Sequence, residues 1–450
     1  MKKKILAQSL CAALIAAVFT APAHADEAAL LQRIEKLAAE LEAMKAELAA
    51  NKQKTESVAK TQQQLSATVA ENTAAISTAT AQPATDARAV AMSESGSASG
   101  PQTTISSYGE INYTRPRQAN SQAQTDVARA VIGLTHRFDE KTKMVAEFEW
   151  EHAVTSKDDQ GESEVEQLYV EHELREGLSA KAGLFLMPVG LLNTNHEPTA
   201  YYGVHRNFVE TAIIPSTWRE AGFGLTGTHD NGLTWDLGLT TGFDINKWDG
   251  TSTDGAESPL GSIHQEGQLA KSRDLSMHAA VNWRGVPGLL VGGSVFTGKA
   301  GQGTKDSVAN DSRVTLWDMH ARYNPGKLDV SALYTRGTIT GVGALNQTLA
   351  GQITPVPSSF YGWYVQSAYQ VWKTDHYSLT PFVRFERFNT AQSYTDMPQG
   401  LGLTPAADQK VSTIGANFRI GEGVVLKADY QKFQQDSSLD RYNLGVGYAF

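Results

Sequence analysis

The chain has 450 residues, of which 19 % are charged, 41 % are apolar and one is cysteine, with a formal net charge of −9. A single cysteine excludes a disulfide scaffold, a zinc finger and a thiol redox enzyme, and the acidic balance argues against a nucleic-acid binder. Beyond residue 25 no apolar run approaches the roughly 20 residues that a membrane-spanning helix needs, so a membrane crossing by this chain has to be made with strands.

Residues 1–25 read as a secretory signal peptide. Lys2, Lys3 and Lys4 form a basic start, Ile5 to Thr20 an apolar centre, and Ala23-His24-Ala25 a small-x-small cleavage site. Cys11 leaves with it, which suits an oxidising compartment.

Residues 26–79 carry one heptad register. Position a holds Ile34, Leu41, Leu48, Thr55, Gln62, Val69 and Ile76; position d holds Leu30, Leu37, Met44, Asn51, Val58, Leu65 and Asn72. An apolar seam flanked by mixed charges predicts an α-helical coiled coil, about 70 Å long at 1.5 Å per residue. The alternative is one amphipathic helix lying on its own domain. Polar core residues such as Asn51 and Asn72 fix register and strand number at some cost in stability. The stretch Val69-Ala-Glu-Asn72-Thr73-Ala-Ala-Ile76 resembles the asparagine layer of trimeric coiled coils in bacterial surface proteins, which implies three strands. Residues 80–103, rich in Ala, Thr, Ser, Gly and Pro, read as a flexible linker.

From Thr104 the apolar period changes to two. Sixteen strands are predicted at 104–114, 126–137, 141–153, 163–174, 178–187, 219–229, 232–243, 273–284, 288–298, 312–324, 327–339, 359–371, 376–389, 410–420, 423–434 and 439–450. Tight turns such as Asp230-Asn231-Gly232 and Asn324-Pro325-Gly326 alternate with long connections, of which 188–218 and 244–272 are the longest. Short turns on one side and long loops on the other describe an all-β, 16-stranded antiparallel transmembrane barrel over residues 104–450. Phe148 and Trp150 alternate with Glu147, Glu149 and Glu151, and Met277 and Val281 alternate with His278 and Asn282. Trp150, Trp283, Tyr323, Trp363, Trp372, Phe388 and Tyr442 are placed as interfacial aromatics. The last strand ends Tyr448-Ala449-Phe450, which resembles the closing-strand signal read by the bacterial outer-membrane insertion machinery.

Strand number, terminal phenylalanine and one long third loop resemble the trimeric bacterial porins. Phe185-Leu-Met-Pro-Val-Gly-Leu-Leu-Asn-Thr-Asn-His-Glu-Pro-Thr199 and Ile213-Ile-Pro-Ser-Thr-Trp-Arg-Glu-Ala-Gly-Phe223 are similar to the third-loop region of the phosphate-selective porin O/P superfamily. The layout also resembles dicarboxylate-type porins with a coiled-coil extension. The resemblance implies a homotrimer in the outer membrane with its stalk in the periplasm. It further implies contact with outer-membrane lipid and lipopolysaccharide, and passive transport of small solutes. It implies that loop 188–218 folds inward and narrows the lumen, with His196, Glu197, Tyr201, Tyr202, His205, Arg206 and Arg219 at the constriction. Gly183, Gly222, Gly224 and Thr226 on the flanking strands would leave room for it.

Strand parity turns Glu147, Glu149, Glu171 and Arg129 inward on one wall and Arg384, Arg419 and Lys427 inward on the other. Facing walls of opposite charge would create a transverse field; the alternative is a set of hydrated salt bridges, each worth little. Arginines spread among glutamates do not make a dense phosphate ladder. No residue pattern calls for a metal or cofactor, and nothing pins a catalytic pair among the eleven histidines. The expected function is therefore a non-enzymatic, water-filled channel for small hydrophilic or charged solutes. The alternatives are an anion channel for phosphate or dicarboxylate, and an envelope tether or adhesin that uses the stalk.

Overall fold

The computed structural model describes Glu42, Lys45 and residues 102–156, 159–395, 397 and 406–450. The predicted signal peptide, the heptad array with Asn51 and Asn72, and the linker up to residue 101 otherwise lie outside the described residues; Gln102 and Thr103, read from sequence as linker, are already paired in the first strand. Glu42 and Lys45 are helical and form an exposed i,i+3 ion pair at 2.8 Å.

Residues from Gln102 onward form one closed antiparallel sheet. Its strands are β1 (Gln102–Pro116), β2 (Gln124–Arg137), β3 (Thr142–Glu151), β4 (Ser163–Arg175), β5 (Leu178–Leu186), β6 (Arg219–Thr228), β7 (Leu233–Thr240), β8 (Ser276–Trp283) and β9 (Leu289–Lys299). They continue with β10 (Arg313–Tyr323), β11 (Leu328–Thr340), β12 (Ser359–Tyr369), β13 (Trp372–Lys373), β14 (Tyr377–Ser393), β15 (Gln409–Ile420), β16 (Val424–Phe433) and β17 (Arg441–Ala449). β13 is a two-residue pairing at a turn, so sixteen strands span the wall. Pairing of β1 with β17, which sets Tyr108 opposite Ala449, closes the barrel and removes both free edges.

The turns explain where the strands stop. The Asp139 carboxylate accepts the backbone N–H groups of Lys141 and Thr142 at 2.8 and 2.7 Å, folding the chain back between β2 and β3. Asn231 does the same for Leu233 at 3.1 Å, beside Gly232 at φ +81°. Such Asx turns need a short side-chain acceptor that reaches the backbone two residues on, which Asp139 and Asn231 supply.

The two faces of the sheet invert the polarity of a soluble protein. Outward side chains include Phe223, Met319 and Ile414, at 73, 66 and 60 % exposure, whereas Glu166, Glu386 and Gln431 are fully buried inside. An exposed apolar wall around a polar interior is the arrangement that lipid outside and water inside favour. Phe388 departs from its expected place. Its parity on β14 turns it inward, where it stacks on Phe208 at 5.5 Å.

The interior is not uniformly wet. Trp218, Phe243 and Phe296 pack with ring centroids 4.6–5.5 Å apart, within a buried apolar cluster that includes Phe185, Val209, Ile213 and Phe360. This cluster seats residues 187–218 and the start of the connection 241–275 against the wall.

Candidate functional site

Residues 187–218 leave β5, cross the barrel interior and return to β6. What holds them there is a set of hydrogen bonds to strands all around the wall. Near β1 and β4, His196 Nδ1 donates to Asn193 O at 3.0 Å, while its Nε2 lies 2.6 Å from the Tyr108 hydroxyl and 2.8 Å from Glu166. Tyr108 in turn donates to Glu166 at 2.9 Å. Tyr201 donates to Glu110 on β1 at 2.7 Å, and Tyr202 donates to Asp329 on β11 at 3.0 Å.

On the far wall the strand side chains grip the loop backbone. The Asp429 carboxylate accepts the Val204 N–H at 2.7 Å, and Glu386 accepts that of Phe208 at 2.6 Å. Lys427 donates to Gly203 O at 2.9 Å and lies 3.5 Å from the centre of the Tyr201 ring; Arg419 donates to Thr199 O. Backbone groups that a loop would otherwise leave unpaired inside the barrel are thereby satisfied.

Glu210 is the internal clamp. Its carboxylate accepts the backbone N–H groups of Leu191 and Leu192 at 2.6 and 2.8 Å, the Asn207 amide at 2.9 Å and the Tyr364 hydroxyl at 2.9 Å. It therefore ties the start of the loop to a single π turn, Val209–Ile213, and both to β12.

Room for the loop comes from glycines that face it. A Cβ on Gly447 would come within 2.4 Å of Pro198, and one on Gly445 or Gly362 within about 3.0 Å of Val204 or Val209. The glycines expected from the sequence play a different part. The space above Gly224 is taken by the Lys181 side chain, and Gly183 and Gly222 lie against neighbouring strand backbone.

The expected constriction residues divide into three: buried anchors, the half-buried His205, and residues that border a cavity. His196, Arg206 and Arg219 are buried anchors. Arg219 pairs with Glu164 at 2.5 Å and Glu266 at 3.0 Å, whereas Arg206 donates through Nη1 to Ser216 and Thr217 and keeps its Nε and Nη2 buried without a partner. His205 is half-buried against Thr114 at 2.9 Å; burial first, and then the Arg441 charge, push its pKa below the ordinary histidine value. Glu197, Tyr201 and Tyr202 border a cavity of about 300 Å³ together with Asn195, Arg322 and Arg419. A second cavity of about 610 Å³ shares Asn195 and Arg322 and extends to Arg284 and His320.

The expected wall charges all face inward, with unequal freedom. Arg129 pairs with Glu110 at 2.9 Å and Glu149 at 3.8 Å, and Glu171 pairs with Lys143 at 3.1 Å. Arg384 is held by Glu386 at 2.8 Å. Glu147 is met by the Gln167 amide. Residues that the sequence reading missed are the acceptors on the wall, namely Glu110, Glu166, Asp429 and Glu386; Glu210 is one of the polar side chains that the sequence reading placed in the loop. Glu166 stands at a β-bulge between the Glu147–Gln167 and Phe148–Val165 pairs, so simple alternation does not register it. Among the described residues no group of three or more His, Cys, Asp or Glu side chains is arranged to hold a metal ion.

No protein-family profile matches this chain. An uncharacterised protein of Aquifex aeolicus (strain VF5) is 25 % identical over 357 residues, covering 77 % of this chain and 79 % of its relative. Among solved structures, OmpF of Salmonella typhi, determined in complex with daunomycin, superposes with a TM-score of 0.52 at 14 % identity, covering 78 % of this chain and 98 % of OmpF. The outer membrane channel DcaP of Acinetobacter baumannii gives 0.48 at 12 % identity, with 78 and 98 % coverage. With its sixteen spanning strands closed into a barrel, the chain has the fold of the outer-membrane porins.

Proposed function

We propose that this chain is an outer-membrane porin, working as a homotrimer that passes small hydrophilic or charged solutes by passive diffusion. The observation that carries the reading is the polar crossing of loop 187–218. It is fastened to β1, β4, β11, β12 and β14–β16, and it leaves cavities bordered by charged side chains instead of a filled core. A loop held across a water-filled barrel sets the narrowest and most strongly charged point of the path. No step of bond making is assigned to the protein.

A second reading, an anion-selective channel, is favoured by Arg419, which borders the smaller cavity and has no carboxylate partner among the described residues, whereas Arg322 beside it is paired with Asp329 at 2.6 Å. Planar-bilayer recording in a salt gradient tests both. Discrete conductance steps are expected, and their absence overturns the porin reading. A reversal potential of cation sign removes the anion reading and leaves the porin reading intact. Light scattering of the full mature chain in detergent should return a trimer. If the stalk is instead the main working part, a chain lacking residues 26–103 loses the only activity there is; a porin lacking them still conducts.

A further inference from the structure

The charges that border the two cavities beside the loop are not equally free. Arg322 stands where the cavities meet, and its guanidinium is already engaged: Nε donates to one Asp329 oxygen at 3.0 Å and Nη2 to the other at 2.6 Å. A two-pronged pair of this kind holds its geometry and carries no net charge. The Tyr202 hydroxyl donates to the same carboxylate at 3.0 Å, and the Tyr202 ring stacks on Phe382 at 5.7 Å, so the loop itself helps to hold Asp329 against Arg322.

With that pair set aside, the smaller cavity keeps one free charge of each sign. Glu197 borders it, and among the described residues no hydrogen bond or ion pair engages the Glu197 carboxylate. Arg419 borders it too; one of its nitrogens donates to Thr199 O, and among the described residues no carboxylate answers its charge. Glu197 and Thr199 belong to one turn, closed by the Ala200 N–H on Glu197 O at 2.8 Å. The segment that seats the guanidinium therefore also carries the carboxylate, two residues earlier, and the two remain unjoined. The larger cavity has no such balance. Arg284 is exposed there, His320 is held between Asp318 and Asn282 at 2.5 and 2.8 Å, and no carboxylate borders it.

In the smaller cavity a lone anion meets the unanswered charge of Glu197, and a lone cation meets that of Arg419. A small solute with a carboxylate at one end and an ammonium at the other satisfies both. The volume, about 300 Å³, lies at the lower end of the range for small-molecule pockets. We propose that this cavity is a subsite for zwitterionic amine–carboxylate solutes, namely amino acids and short peptides, with the solute carboxylate on Arg419 and its ammonium at Glu197. The proposal rests on the reading of the chain as a channel and names a solute class for it. Selection comes from two side chains that the loop holds beside one cavity, apart from the charges paired within the wall. Asp329 is a positioning residue: by occupying Arg322 it leaves Arg419 as the free cation that borders this cavity.

The test follows three radiolabelled dipeptides into proteoliposomes that hold the full mature protein, at neutral pH and low ionic strength. They are glycylglycine, its N-acetyl form, which is an anion, and its C-terminal amide, which is a cation. The parent is expected to admit glycylglycine about five-fold faster than either capped form, because hydrated ionic contacts are individually weak. Glu197→Gln should remove the preference over the acetylated peptide, and Glu197→Asp should keep it. Asp329→Asn, which frees Arg322, should raise uptake of the acetylated peptide above that of the amide. The control Asp311→Asn, at an exposed position that borders neither cavity, should match the parent. Equal uptake of the three peptides by the parent overturns the subsite, and that comparison needs no variant. Faster uptake of the acetylated peptide by the parent overturns it as well, since the cavity would then take simple anions. So does an unchanged preference in Glu197→Gln. A parent that conducts KCl but does not distinguish the peptides defeats this proposal alone, whereas one that conducts nothing defeats the channel reading.

Discussion

The two charged walls of the lumen look equivalent in sequence and are not equivalent in the structure. On β3 and β4, Glu147, Glu149 and Glu171 face Arg129, Gln167 and Lys143, all of them within the wall. On β14–β16, Arg384 is held by Glu386, while Arg419 and Lys427 spend their donors on the carbonyls of Thr199 and Gly203. One wall keeps its charges among the strands; the other uses them to hold the loop. An inward charge is therefore either part of the field that a solute meets or part of the fastening that shapes the path, and parity alone does not distinguish the two.

The largest effect should come from the clamp. Glu210→Ala leaves the N–H groups of Leu191 and Leu192 without their acceptor, at about 1–3 kcal/mol for each buried group. The expected outcome is a lower melting temperature together with larger, noisier single-channel currents. A quiet channel of parental conductance would show that the loop does not depend on this clamp.

The register is tested next. Phe148→Glu puts a charge on the lipid face, which costs about 2–4 kcal/mol or less depending on depth, so assembly measured by heat-dependent gel mobility should fall. Glu147→Gln on the neighbouring inward position should assemble normally. The reverse pair of results would shift the facing by one residue.

The difference between the walls predicts two different phenotypes. Neutralising Glu147, Glu149 and Glu171 should move the reversal potential toward anions, because removing fixed negative charge raises the local potential. The shift should fade at 1 M salt, where the Debye length is about 3 Å. Lys427→Met should instead loosen the loop and change conductance more than selectivity. If the lysine variant shifts selectivity as much as the glutamate variants, the walls are alike after all.

The smallest effect concerns pH. Because the docked state depresses the His205 pKa, docking is fully supported above the ordinary value of about 6.5 and weakens as pH falls below it, where the released state takes up the proton first. Current fluctuations should rise as pH falls below about 6.5, and His205→Gln should flatten that part of the profile. An unchanged profile in the variant would remove His205 from the linkage.

The strands were legible because a two-sided sheet between lipid and water writes its alternation into every segment. All sixteen predicted strands are found, with ends that differ by at most four residues, as at 376–389 against Tyr377–Ser393. Phe388 was misplaced because an aromatic near a strand end suits an interface or a buried seat equally well, and only the partner ring of Phe208 decides. The loop was legible as a long third connection, and its polar residues could be named. Their division into buried anchors and cavity lining could not, because it depends on which strand side chains lie across the barrel.

The sequence by itself determined the closed barrel, its number of strands, its long-loop side and the inward parity of its charges, because period, turn chemistry and strand length are local properties. Only the tertiary structure decided that Gly445 and Gly447 make way for the loop, that Glu210 ties it to Tyr364, and that Lys427 and Arg419 bind its backbone. Those contacts join residues far apart in the chain. Their energies depend on distance and burial across the lumen, and neither quantity is written in any single segment.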